Sequence, residues 1–145
     1  MRVLILSGSD HDAELVKKVE GILKDFGVDY EAHVASAHRN PRKVEEIVKS
    51  SRAEVFIGVA GLSAALPGVI ASHTTRPVIG LPREVRLGGL DALLSMAQMP
   101  PGVPVATVGI ENGWNAALLA IEILALRDEA LRKKLEEYRE RERKK

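Results

Sequence analysis

An alternation of short apolar segments with helical segments runs through the chain and limits its fold more than any single motif does. In the first unit, residues 2–7 are mostly apolar, and the apolar residues from Leu15 to Phe26 then recur at helical spacing until Gly27. Five strand–helix units follow one another, and no hairpin signal separates them. This order requires parallel strands joined by right-handed crossovers, with helices on both faces of the sheet. The sequence therefore predicts an α/β fold, a three-layer, doubly wound parallel sheet of the flavodoxin-like type.

The same patterns give the bounds of the individual elements. Residues 29–35 alternate polar and apolar side chains, which predicts a strand near an edge of the sheet. Pro41 begins the second helix, and Pro67 is tolerable near the start of the third. The predicted strands are residues 2–7, 29–35, 54–60, 77–81 and 103–110, and the later helices are residues 90–99, 112–126 and 128 onward.

The chain divides into a body and a charged tail. We predict one domain over residues 1–126 and an extra C-terminal helix over residues 127–145, where 9 of the 21 Lys and Arg residues lie. The apolar stripe of this helix, Leu131, Leu135 and Tyr138, is narrow, so the helix is expected to pack on a neighbouring subunit or to lie on the surface. The preceding segment is apolar on nearly all sides, which favours burial between subunits. Both features predict a homo-oligomer.

Composition removes several classes of function. Without cysteine, the chain has no disulfide scaffold, cysteine zinc site, thiolate nucleophile or iron–sulfur cluster. Aromatic residues make up 3% of the chain, and the body before the tail has 12 basic and 14 acidic residues, so nothing indicates a nucleic-acid partner. No apolar run approaches the roughly 20 residues that span a bilayer, and no signal segment is visible. A cytoplasmic protein with no membrane partner is expected.

Ligands of doubly wound sheets bind beyond the carboxyl ends of the strands, so the loops at that edge are the candidate site. The loop after the first strand contains Gly8, Ser9 and Asp12. Its backbone N–H groups and hydroxyl can bind an anion, and its carboxylate can bind ribose hydroxyls. Capping of the following helix by Ser9 and Asp12 is the competing interpretation. The loop has a single glycine and no lysine, so it matches neither the dinucleotide nor the P-loop fingerprint.

The loop after the second strand places a hydroxyl, an imidazole and a guanidinium close together, on Ser36, His38 and Arg39. The planar fork of Arg suits phosphate, and His can move a proton near neutral pH. The third loop contains Gly61 and Ser63 among small residues that let the backbone approach a ligand, or that simply permit tight packing.

The remaining histidines are weaker candidates. His33 lies in the middle of a predicted strand and His73 near a helix end, so both are expected to be structural or on the surface. His11 lies in the first loop, and the sequence leaves open whether it belongs to the site. No metal site is predicted.

Five segments in order, GSDHD, SAHR, AGLSAALPG, GLDALLSMAQMPPGVPVATVGI and NAALLAIEIL, resemble the purine-biosynthetic family of N5-carboxyaminoimidazole ribonucleotide mutases and aminoimidazole ribonucleotide carboxylases. The resemblance covers about residues 3–126. It implies a homo-octamer that moves a carboxylate from an exocyclic nitrogen to a ring carbon of an imidazole ribonucleotide, by way of CO2. It also implies that no cofactor, neither ATP nor metal, takes part.

The family motifs carry over to this chain residue by residue. They imply that Ser9 and Asp12, beside Gly8, bind the reacting side and the ribose, that Ser36 and Arg39 hold the phosphate, and that His38 is the general acid and base. Two positions depart from the usual mutase pattern: His11 stands where Ser is usual, and Ala65 stands where His is usual.

The third loop leaves the reaction open within the family. Ala65 departs from the mutase pattern, and Ser63 is similar to the carboxylase form, in which free CO2 is used directly. The segments SAHR and QMPPGVPVAT resemble those of the mutases, so the mutase reaction is the favoured prediction. A catalytically inactive nucleotide-binding module is the alternative from another class of function.

Overall fold

The computed structural model describes residues 2–144. Five strands alternate with the helices, and their bounds are β1 (Val3–Ser7), β2 (Tyr30–Val34), β3 (Val55–Ala60), β4 (Val78–Pro82) and β5 (Ala106–Thr107). The α-helices are α1 (Ala13–Phe26), α2 (Pro41–Ser50), α3 (Leu66–Ser72), α4 (Leu90–Ala97), α5 (Gly113–Ala125) and α6 (Glu129–Arg143). Short 3-10 turns at Asp10–Asp12 and Leu87–Gly89 precede α1 and α4.

The strands form one sheet in the order β2-β1-β3-β4-β5, and every neighbouring pair is parallel. The predicted doubly wound α/β fold is therefore confirmed, and β2 lies at an edge as its alternating pattern indicated. The strand order reverses between β1 and β3, because the chain first moves outward to β2 and then returns past β1. The loops after β1, β2 and β3 meet at this reversal, where doubly wound sheets bind ligands.

Helices cover both faces of the sheet. Val3 and Ile5 of β1 pack with α1, α5 and α6, whereas Leu4 and Leu6 of the same strand pack with α2, α3 and α4. Every residue of β1, β3 and β4 is buried. A parallel strand covered on both faces must be apolar at nearly every position, which explains why these three segments have the strongest apolar runs.

The fifth strand is shorter than the sequence predicts. The expected strand over residues 103–110 contains only Ala106–Thr107 in ladder pairing, opposite Ile79 and Gly80 of β4. Pro104 has no N–H to donate to a ladder. β5 lies at the second edge of the sheet, and the residues on both sides of it adopt loop conformations.

The C-terminal helix α6 packs within its own chain. Leu131 and Leu135 are buried in the core formed with α1 and α5, and the ring of Tyr138 lies 5.6 Å from that of Phe26, centroid to centroid. Lys134 Nζ donates a hydrogen bond to the carbonyl of Phe26 at 3.0 Å. Although the apolar stripe of α6 is narrow, its side chains are covered because they pack into a groove beside α1 and α5. These contacts lie within one chain, and packing of the exposed face of α6 on a neighbouring subunit stays a prediction.

Asp128 fixes the start of α6 to the beginning of the chain. Its Oδ1 accepts the backbone N–H of Leu131 at 3.0 Å, and its Oδ2 accepts Nη1 of Arg2 at 2.6 Å. The hydrogen bond from Leu131, followed by that from Arg2, lowers the pKa of Asp128. A lowered carboxyl pKa gives stability that is present above the ordinary pKa and is lost as the pH falls through the lowered one.

We predict that Leu135→Ala destabilises the protein by about 2 kcal/mol or more, because the truncation leaves a cavity between α6 and the core. Lys133→Ala, an exposed change on the same helix, is the matched control and is expected to stay within about 0.5 kcal/mol of the parent protein. Denaturant unfolding at equal protein concentration measures both. Equal stability of the two variants would show that α6 does not pack on its own chain in solution.

Candidate active site

The loop after β1 holds a buried carboxylate at its centre. Gly8 continues the strand by donating its N–H to the carbonyl of Val59 at 3.1 Å. The backbone N–H of Ser9 donates to Oδ2 of Asp12 at 3.0 Å, and the Ser9 hydroxyl lies 3.4 Å from the same oxygen. Helix capping therefore accounts for the contacts of one carboxylate oxygen of Asp12, Oδ2. The other oxygen, Oδ1, is 3.3 Å from Nη1 of Arg83, a contact that capping does not require.

The loop after β2 is organised around the buried hydroxyl of Ser36. Its Oγ accepts the backbone N–H groups of His38 at 3.3 Å and Arg39 at 3.2 Å. The guanidinium of Arg39 then reaches the first loop, where Nη2 donates to the carbonyl of Gly8 at 3.0 Å. These bonds hold the His38 backbone while its imidazole stays exposed.

The third loop approaches the other two closely. A Cβ atom added to Gly61 would collide with the side chain of Val85, so only glycine fits this position without movement. Ser63 has φ 44°, in the left-handed region that a residue with a side chain adopts at a cost. Such strained positions are concentrated at ligand sites.

All of the predicted site residues line one open cleft of about 480 Å³ at the carboxyl edge of the sheet. They are Gly8, Ser9, Asp12, Ser36, His38, Arg39, Gly61 and Ser63. His11 and Ala65 line the same cleft. The structure thus brings together three loops that are far apart in sequence.

The two remaining histidines lie elsewhere. His33 is on β2, where its Nε2 is 3.2 Å from a carboxylate oxygen of Glu31, and His73 follows the end of α3. Neither lines the cleft. Among residues 2–144, no three His, Asp or Glu side chains are grouped as a metal would need.

Arg83 is a cleft residue that the sequence analysis missed. It directly follows Pro82, the last residue of β4, and its backbone N–H donates to the carbonyl of Ala60 at 2.9 Å. The rule that selected the first three loops applies equally to the loop after β4. A basic residue at the start of that loop could therefore have been predicted to face the site, but the segment contains no motif that singles it out.

The cleft combines groups for anion binding and for proton transfer. Two guanidiniums, those of Arg39 and Arg83, and the imidazoles of His11 and His38 border a space lined also by hydroxyls and the Asp12 carboxylate. Guanidiniums bind phosphates and carboxylates through paired hydrogen bonds. An exposed imidazole beside such groups can exchange a proton with a bound anion.

Residues 2–145 match the model of one protein family, AIR carboxylase. The chain belongs to the AIR carboxylase family. The family resemblance predicted from the sequence motifs is therefore confirmed.

Named relatives agree with this membership. The chain is 62% identical over 143 residues to N5-carboxyaminoimidazole ribonucleotide mutase of Methanocaldococcus jannaschii, a match that covers 99% of this chain and 91% of the relative. It is 47% identical over 144 residues to the enzyme of the same name from Thermotoga maritima, covering 97% and 84% of the two chains. A crystal structure of Treponema denticola PurE superposes with a TM-score of 0.90 at 31% identity, covering 98% of this chain and 91% of that one.

Proposed function

We propose that this protein is an N5-carboxyaminoimidazole ribonucleotide mutase, an isomerase of purine biosynthesis. The observation that carries the proposal is the 62% identity, over 99% of the chain, to a relative of that name. The cleft supports it independently, because it offers an anion-binding guanidinium, an imidazole and hydroxyls within one nucleotide-sized space.

The proposed reaction breaks the bond between the exocyclic nitrogen and its carboxylate, which releases CO2 into the cleft. The nitrogen gains a proton from His38. The ring carbon then forms a bond to the same CO2 and gives its proton back to His38. One imidazole thus serves as acid and then as base, a task that suits a group titrating near neutral pH. Retention of CO2 requires that the loops exclude water while it is free.

The substrate contacts follow from the three loops. We propose that Ser36 and Arg39 bind the 5′-phosphate, and that Ser9 and Asp12 beside Gly8 bind the ribose and the reacting side. Gly61 and Ser63 let the third loop approach the imidazole base of the substrate closely. His11 lines the same cleft and is the second candidate for proton transfer.

A carboxylase that uses free CO2 is the second candidate, because Ser63 is similar to the carboxylase form of the third loop and Ala65 replaces the usual mutase His. Turnover with carboxyaminoimidazole ribonucleotide, compared with aminoimidazole ribonucleotide plus bicarbonate, separates the two reactions. A mutase consumes the first substrate much faster at physiological bicarbonate. Turnover of neither substrate would support the nucleotide-binding module without catalysis.

We also propose that the protein assembles as a homo-oligomer, an octamer as the family resemblance implies. The inner face of α5 is buried in its own chain, yet Trp114 at its start is 53% exposed and Leu126 just beyond its end is 84% exposed. Leu118, Leu119 and Ile123 are only partly buried. These apolar side chains fit an interface better than they fit water. No described helix is long and apolar enough to cross a membrane, and the cytoplasmic location stays a prediction.

For His38, we predict that His38→Asn lowers turnover by at least about 10²-fold, because the amide cannot carry the proton. Nucleotide affinity and thermal stability are expected to stay near those of the parent, since the imidazole is exposed. Steady-state kinetics with calorimetric binding measures both. Turnover near the parent value would transfer the role to His11, and His11→Asn is the matched variant.

For Arg39, we predict that Arg39→Ala weakens nucleotide binding at least about tenfold, because a paired, charge-assisted contact to the phosphate is lost. Affinity for the phosphate-free nucleoside is expected to change little. Calorimetric titration with both ligands makes the comparison. Equal losses for nucleotide and nucleoside would contradict the assignment.

For the assembly, light scattering at micromolar concentration is expected to give a mass several times the 15.8 kDa of one chain. Leu126→Glu is expected to weaken the assembly, because it places a charge at an exposed apolar position without disturbing the core. Arg52→Glu, an exposed change elsewhere, serves as control. A monomer at every dilution would reject the oligomer.

A further inference from the structure

We propose that Arg83 binds the carboxylate group that the substrate carries, while Arg39 binds the phosphate at the other end of the same molecule. The inference rests on the proposed function. It assigns the specificity for carboxylated over uncarboxylated nucleotide to a residue outside the predicted site.

The backbone of Arg83 is held in place at the edge of the sheet. Arg83 follows β4, and its N–H bond to the carbonyl of Ala60 extends the ladder between β3 and β4 by one residue. Its side chain therefore begins from a fixed point beside the third loop. The ion pair with Asp12 restricts the side chain itself, which lowers the entropic cost of presenting the guanidinium to a ligand.

The guanidinium of Arg83 is short of acceptors. Its side chain is 30% exposed, and within residues 2–144 it forms the ion pair with Asp12 at 3.3 Å but no hydrogen bond. A guanidinium has five N–H donors, so most of those of Arg83 have no acceptor on the described part of the chain and can bind a ligand. A carboxylate in the cleft can accept two of them in the paired geometry that Arg favours.

Asp12 holds the guanidinium of Arg83 at the cleft, where a ligand carboxylate can reach it. Its side chain is 5% exposed, and its Oδ1 is the carboxylate oxygen that faces Arg83. Its other oxygen is already engaged by Ser9. Arg83 lines the cleft, and only its Nη1 pairs with Asp12, so a ligand carboxylate can bind the other donors without replacing the buried contact.

The two arginines approach the loop after β1 from opposite sides, so a ligand with an anion at each end can contact both. Arg39 follows β2 and Arg83 follows β4, and β1 and β3 lie between these strands. Three strand spacings separate the two backbones by about 14 Å. Both side chains extend inward to the loop after β1, so the two guanidiniums lie closer together than the backbones do. A nucleoside monophosphate with a carboxylated base has its two anionic groups at opposite ends. The charges of the cleft favour it, since two guanidiniums face one aspartate.

The test compares two ligands that differ by one carboxylate. Calorimetry measures the affinities for 4-carboxy-5-aminoimidazole ribonucleotide and for 5-aminoimidazole ribonucleotide, and the readout is the ratio between them. Arg83→Gln is expected to lower this ratio at least about tenfold, with Arg83→Lys falling between Gln and the parent. Arg39→Ala is expected to weaken both ligands equally and leave the ratio unchanged. Arg86 belongs to the same loop but does not line the cleft. Arg86→Gln therefore removes an equal charge as a control, and this variant is expected to bind both ligands as the parent does.

The outcomes separate this inference from the proposed function. A parent protein that binds neither ligand rejects the proposed function, and the role of Arg83 with it. A parent that binds the carboxylated ligand, with an unchanged ratio in both Arg83 variants, rejects only the role of Arg83. Equal weakening of both ligands in Arg83→Gln would also overturn it, because Arg83 would then act only by holding Asp12. If Arg83→Gln does not fold, Arg83→Lys decides by the same ratio.

Discussion

The parallel pairing of β1 with both β2 and β3 is the constraint on which the site depends. Because β1 lies inside the sheet, the loop that follows it is bordered by the loops after both neighbours. Arg39 from one side bonds to Gly8, and Arg83, one strand further on the other side, pairs with Asp12. The burial of β1 on both faces fixes this loop, so the precision of the site comes from the apolar core beneath it.

Much of this arrangement could be predicted from the sequence. The buried strands are continuous apolar runs, and Gly27 and Pro41 mark helix ends by their backbone chemistry, so the order of elements followed directly. Given that order, the rule about carboxyl ends selected three loops, and the structure brings all their candidate residues into one cleft. Here local pattern and topology were sufficient.

Three features could not be predicted because they depend on neighbours that are distant in sequence. The length of β5 depends on how its residues pair with β4, where only Ala106 and Thr107 join the ladder. The packing of α6 depends on a groove beside α5 and the end of α1, which a helical wheel of α6 alone does not show. The contact between Arg83 and Asp12 joins residues in different units, and neither segment indicates the other.

The buried hydroxyl of Ser36 has a consequence for which partners the second loop accepts. An alcohol oxygen has two lone pairs, and the N–H groups of His38 and Arg39 occupy both. The oxygen can therefore accept nothing more, and its proton is left to be donated. Towards the cleft the Ser36 hydroxyl can act only as a hydrogen-bond donor. Such a donor suits an acceptor with many lone pairs, such as a phosphate group. The hydroxyl of an unphosphorylated nucleoside can accept the same hydrogen bond, but its oxygen is neutral, and hydrogen bonds to charged acceptors are stronger.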